Sequence, residues 1–257
     1  MEEGRKEQIE SRKPAKTPGR SRFLLTWVAA SSGGWIIGGL LGALLSYLVV
    51  VGGWGDPEFF FESDSLDSRA YAALFSLPLA LAGFMACAMQ RLALRPHFPE
   101  VDGWVRASGV AWILAGPVVA ASLGLNPDSA ELSPIGFYVA PFIVGAMVGA
   151  TQWLVAQGQA SRVWLWIAAS AVGWGLGAIP LVVGYGLVIE PERIVALVGG
   201  LLLIAIGLVA GPGITGLVLA RCLREPPSRP VNRRRTTLLV GVLWLLLVVA
   251  ALVILFR

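Results

Sequence analysis

Apolar residues fall in long uninterrupted runs along the chain, at about Phe23–Val51, Ala70–Leu92, Gly103–Leu123, Pro134–Ala156, Val163–Val188, Ile194–Cys222 and Thr236–Phe256. Runs of roughly 20 residues match the length a helix needs to cross the hydrocarbon of a bilayer, whereas a globular core is assembled from shorter periodic segments. The pattern predicts an all-α fold, a polytopic transmembrane helical bundle of seven spans. It divides the chain into a polar tail over 1–22 and a membrane domain over 23–257. The tail holds seven Lys/Arg, four Glu and two Pro without apolar periodicity, the composition of a disordered segment at a membrane surface. The first run is too long for the core of a cleavable signal peptide and is read as a retained helix.

Composition agrees with this division. The chain is 56% hydrophobic and 14% charged, against about 25% charge in ordinary soluble domains. Its few charges are sorted by segment. With the N-terminus cytoplasmic, 17 of the 20 Lys/Arg lie inside, leaving Arg69, Arg193 and Arg257 outside. This bias predicts an inner-membrane protein with its C-terminus outside. The basic balance therefore points to topology and to anionic lipid at the cytoplasmic face, the Arg229–Arg235 cluster above all, and not to nucleic acid. The outer stretch Asp56–Asp67, with five acids and three Phe, reads as a short interfacial helix.

Self-similarity is the most specific signal. The pattern W-x-x-A-S-x-x-G/A-W-x-x-G/A occurs three times without a gap, beginning at Trp27, Trp104 and Trp166. Its second tryptophans are Trp35, Trp112 and Trp174, its serines Ser31, Ser108 and Ser170, and its last small residues include Gly38 and Gly177. The even runs carry a second pattern, in which Gly83, Cys87 and Gln90 align with Gly145, Gly149 and Gln152. In the sixth run the glutamine position is assigned to Gly216. The chain thus divides into three repeats, at about 23–92, 103–156 and 163–222, and a final span at 236–256. Each repeat has two spans, so all copies would enter the membrane in one direction, about an axis along its normal.

The motif positions fall within one stripe of a helix, and most are Ala, Ser or Gly, which lets helix backbones approach closely where lipid removes the hydrophobic drive. Gln90 and Gln152 are the polar residues at membrane depth, and the three motif serines are partners at comparable depth. Two functions follow from such a layer. It can be interhelical glue, or it can line a solute path.

Other chemistry finds little footing. The cysteines Cys87 and Cys222 stand in apolar runs without metal-ligand spacing, and His97, in a polar segment, reads as a solvated loop residue. G-x-G-x-x-G at Gly211–Gly216 lies inside an apolar run rather than after a strand, and Pro212 there reads as a kink. No acid, His or Lys falls in mid-span. No catalytic residue, cofactor or metal is assigned.

The stretch from Gly145 through Gln152-Trp-Leu-Val, joined to the one from Trp166 to Gly177, resembles a group of bacterial polytopic membrane proteins from filamentous phototrophs and their relatives. The likeness covers about Phe23 to Leu223. Arg91 replaces the tryptophan expected after Gln90. The resemblance implies fold and bacterial source and carries no ligand or activity. The expectation is a non-enzymatic inner-membrane protein acting through lipid or a membrane-protein partner as a structural or assembly subunit. The alternative is a small-solute permease or channel lined by the glutamines and serines.

Overall fold

The computed structural model describes residues 19–54, 68–97, 102–122, 134–156, 164–189 and 194–223. These form six helices: α1 (Arg20–Trp54), α2 (Ser68–Leu94), α3 (Asp102–Ser122), α4 (Pro134–Ala156), α5 (Leu165–Ile189) and α6 (Ile194–Cys222). The boundaries lie within three residues of the apolar runs, and α4 and α6 coincide with theirs. The interfacial stretch 56–67, the cluster 229–235 and the run 236–256 lie outside the described residues.

Among the described residues, five helices are long and apolar enough to cross a membrane: α1, α2, α4, α5 and α6. The third run forms α3, with 21 residues.

The distribution of side chains is that of a protein solvated by hydrocarbon. On α1, Leu40 is 68% exposed while Ser31 is fully buried, and the same inversion places leucines, isoleucines and valines outward on α5 and α6. Most aliphatic side chains face the surroundings, and the interior is built mainly from Trp, Gly, Ala, Ser, Thr and Gln, with a few Leu and Val such as Leu94, Leu219 and Val148. Lipid tails are as apolar as leucine, so close packing and hydrogen bonds select which face turns inward.

Each helix packs antiparallel on the next, and α6 returns to α1, closing a ring. Small residues set the approach within pairs. A methyl group on Gly34 would overlap the backbone of Met85 and Ala86, and one on Gly38 would overlap Leu81 and Ala82. Gly173 and Gly177 approach Gly211 and Gly207 closely across the α5–α6 pair, and a methyl group on Gly207 would overlap the Gly177 carbonyl. Gly83 lies instead under the ring of Trp112, between consecutive pairs. Glycine is required at these positions by the neighbour's proximity, not by backbone conformation.

A tryptophan-lined polar layer as candidate functional site

The three matched segments stand side by side. Trp27, Trp104 and Trp166 touch pairwise, with ring centroids 6.2, 5.6 and 5.9 Å apart. Trp35, Trp112 and Trp174 do the same at 5.1, 4.7 and 5.2 Å. Each second tryptophan follows the first by eight residues, so contact at both levels requires α1, α3 and α5 to run in the same direction. The outcome is two triangular tiers of indoles across the bundle axis. Edge-to-face and tilted contacts of this kind are favourable ring geometries.

Between the tiers lies the polar layer. Gln90 donates through Nε2 to Ser31 Oγ at 2.9 Å and accepts from Trp104 Nε1 at 3.3 Å. Gln152 donates to Ser108 Oγ at 3.0 Å and accepts from Trp166 Nε1 at 2.8 Å. Its second amide hydrogen faces Cys87 Sγ at 3.7 Å. Each glutamine therefore ties a serine of its own helix pair to a tryptophan of the next pair. All of these groups are buried, where an unpaired amide is expensive, so these bonds account for their presence in the interior.

The third acceptor corrects the sequence reading. Trp27 Nε1 donates to Thr215 Oγ1 at 3.3 Å, completing the cycle of donors begun by Trp104 and Trp166. Thr215, not Gly216, stands where the glutamine does in the other pairs. Gly216 packs against Trp27 and Leu24 instead. The even-helix pattern advances by 62 residues from Gln90 to Gln152 but by 63 from there to Thr215, so a gapless alignment falls one residue short, at Ile214, and the Gly216 assignment overshoots by one. Thr215 also donates to the carbonyls of Gly211 (3.2 Å) and Pro212 (3.1 Å), so it remains satisfied within its own helix.

A second residue overlooked in the sequence is Ser32. Pro212 has no N–H, which leaves the carbonyl of Leu208 without its helical donor. Ser32 Oγ donates to that carbonyl at 2.7 Å. A serine at this position occurs only in the first copy of the motif, and the proline it serves occurs only in the sixth helix. That coincidence was the available signal.

The remaining packing residues fall at the interfaces. Gly145 meets Ser170 and Trp174, and Gly149 meets Ser170 and Ile167. Ser170 is buried but has no glutamine opposite it. Cys87 and Cys222 are buried and are not joined in a disulfide. His97 is not fully solvated: it is half-buried, lies edge-on to Phe23 at 5.0 Å, and donates its backbone N–H to Leu94 O. Burial lowers its pKa from the ordinary value.

The space left between the tiers is a cavity of ≈ 10 Å³ open to the centre of a water molecule, bordered by Gln90, Gln152, Ser170, Thr215 and Trp112 among others. Such a volume admits about one water. Among the described residues, no three His, Cys, Asp or Glu side chains come together in a way that could hold a metal ion. At one end of the ring lie Arg20, Arg22, Arg91, Arg95, Arg106 and Arg221, where the odd helices begin and the even helices finish.

Comparison with known proteins adds no assignment: no protein-family model, curated protein or solved structure matches the chain.

Proposed function

We propose that this protein is a non-enzymatic bacterial inner-membrane protein whose bundle is a rigid structural or assembly platform. It acts through anionic lipid and a membrane-protein partner. The observation that carries this reading is the obstruction of the bundle axis. Six indoles lie across it in two tiers, and the space between them has room for about one water. A solute path needs continuity that such an axis does not offer, whereas a scaffold needs the close packing it has.

In this reading the three helix pairs are copies of one ancestral hairpin, and a seventh span follows them. The arginine-rich end faces the cytoplasm and meets anionic headgroups, each charge near the surface contributing about 1 kcal/mol. The α3 helix crosses the bilayer with its neighbours, its polar face turned to the ring.

The layer of Gln90, Gln152, Ser31, Ser108 and Thr215 favours the second reading, a small-solute permease. Reconstitution into proteoliposomes separates the two. A scaffold leaves permeability to water, glycerol and small ions at the level of empty liposomes, and Gln90→Leu with Gln152→Leu lowers the melting temperature without altering flux. Flux above the background that disappears in a folded Gln-to-Leu variant overturns the scaffold in favour of the permease. Purification in native lipid, with identification of the co-purifying lipids and proteins, then names the partner.

A further inference from the structure

The cavity between the indole tiers has a cause in the sequence. Two helix pairs place a glutamine between their serine and the next tryptophan, and the third places Thr215 there. Threonine has two fewer side-chain heavy atoms than glutamine and no amide. Ser31 and Ser108 each receive an amide hydrogen, while Ser170, the corresponding serine, faces a threonine too short to supply one. Both Ser170 and Thr215 border the cavity.

A second observation points to the same space. Trp112 also borders it, is 2% exposed, and its indole N–H meets no nitrogen or oxygen acceptor, only the weakly accepting sulfur of Cys87 lying toward it. An N–H in a hydrocarbon-surrounded interior has no solvent to fall back on, and leaving it unpaired costs free energy. Cavities lined by polar groups hold water, whereas empty ones are apolar. The available volume is about that of one water. The side chains around it are neutral, which disfavours an ion because a buried charge needs an opposing one.

We infer that this cavity is a binding site for a single structural water, which stands in for the amide missing from the third helix pair and accepts the Trp112 N–H. The water is part of the packed layer and does not exchange along a path. It donates to hydroxyl or carbonyl oxygens of the layer and is held by Ser170 and Thr215 on the side where glutamine is absent.

The test uses the full chain with ¹⁵N-indole tryptophan in lipid bilayers. Water-edited solid-state NMR reads transfer of magnetisation from water to each indole, and Trp112→Phe identifies the Trp112 signal. The Trp112 indole should receive magnetisation from water, and Thr215→Gln should abolish that transfer because the new amide fills the cavity. Absence of transfer in the unaltered protein overturns the inference. So does transfer that persists in folded Thr215→Gln, since the water then lies elsewhere. Should either variant fail to fold, a density map of the unaltered protein that resolves ordered water decides the matter. One peak within hydrogen-bond distance of Trp112 Nε1 and Ser170 Oγ supports the site, and an empty cavity refutes it.

Discussion

The α2–α3 and α4–α5 seams are built alike, and the α6–α1 seam solves the same problem with different residues. At the first two, a tryptophan lies against a glycine, the Trp112 ring on Gly83 and the Trp174 Cβ on Gly145, and a glutamine seven residues further on accepts from the first tryptophan of the next pair. At the third, Leu208 stands seven residues before Thr215, where the glycine would be. Leucine does not admit an indole as glycine does, and packing between α1 and α6 is the least extensive around the ring. The seam is held instead by the Trp27–Thr215 bond and by Ser32 on the carbonyl that Pro212 frees. A ring can thus close on two like seams and one unlike them, provided each buried polar group finds a partner.

The largest effect should come from filling a glycine at a matched seam. Gly83→Val drives a branched side chain into the Trp112 ring and should cost about 1–3 kcal/mol or prevent folding. Gly39→Val, on a face with open space around it, should be near neutral. Thermal unfolding in detergent compares them, and equal losses would remove the steric argument.

The tryptophan donors sharpen the contrast. Trp166→Phe leaves the Gln152 carbonyl oxygen buried without its donor, at a cost of about 1–3 kcal/mol. Trp27→Phe should cost less, because Thr215 keeps its bonds to Gly211 and Pro212. Melting temperatures in one detergent rank the two, and the reverse order would show that the polar layer does not govern the difference.

Ser32→Ala should cost about 0.6 kcal/mol, the average for an interhelical bond in a membrane protein. Pro212→Ala restores a helical donor to Leu208 O, so in that background Ser32→Ala should cost less. A double-mutant cycle measures this coupling, and strict additivity would mean that the serine does not serve the proline.

The smallest effect concerns His97. Because burial lowers its pKa, the unfolded chain binds a proton near 6.5 that the folded chain takes up only at lower pH. Stability should therefore fall as pH drops below about 6.5. The corresponding slope should flatten in His97→Gln, as judged by unfolding between pH 8 and 5.5.

Much of this architecture was legible in the sequence because lipid imposes simple rules. A helix of about 20 residues must be apolar, and small or polar residues on one stripe must face protein. Hence the helix boundaries were close, and Gln90 and Gln152 could be matched with serines. What the sequence did not disclose was the order of the ring. Which tryptophan meets which glutamine depends on packing between consecutive pairs, information that no local motif contains. Thr215 was missed because one added residue in α6 displaces the pattern, and Ser32 because its partner is a backbone carbonyl. His97 looked solvated from its polar neighbours, yet the end of α2 carries it against Phe23.

The central claim is that matched tryptophans from three parallel helices meet in two tiers. Fluorine-labelled tryptophan in lipid bilayers tests it directly through ¹⁹F–¹⁹F contacts, with signals identified by single Trp-to-Phe replacements. The account predicts cross-peaks within the Trp27, Trp104 and Trp166 set and within the Trp35, Trp112 and Trp174 set, from rings whose centroids lie 4.7–6.2 Å apart. Contacts that instead join Trp27 to Trp112 or Trp174, with none inside either set, would mean that the matched helices run in opposite directions and would contradict it.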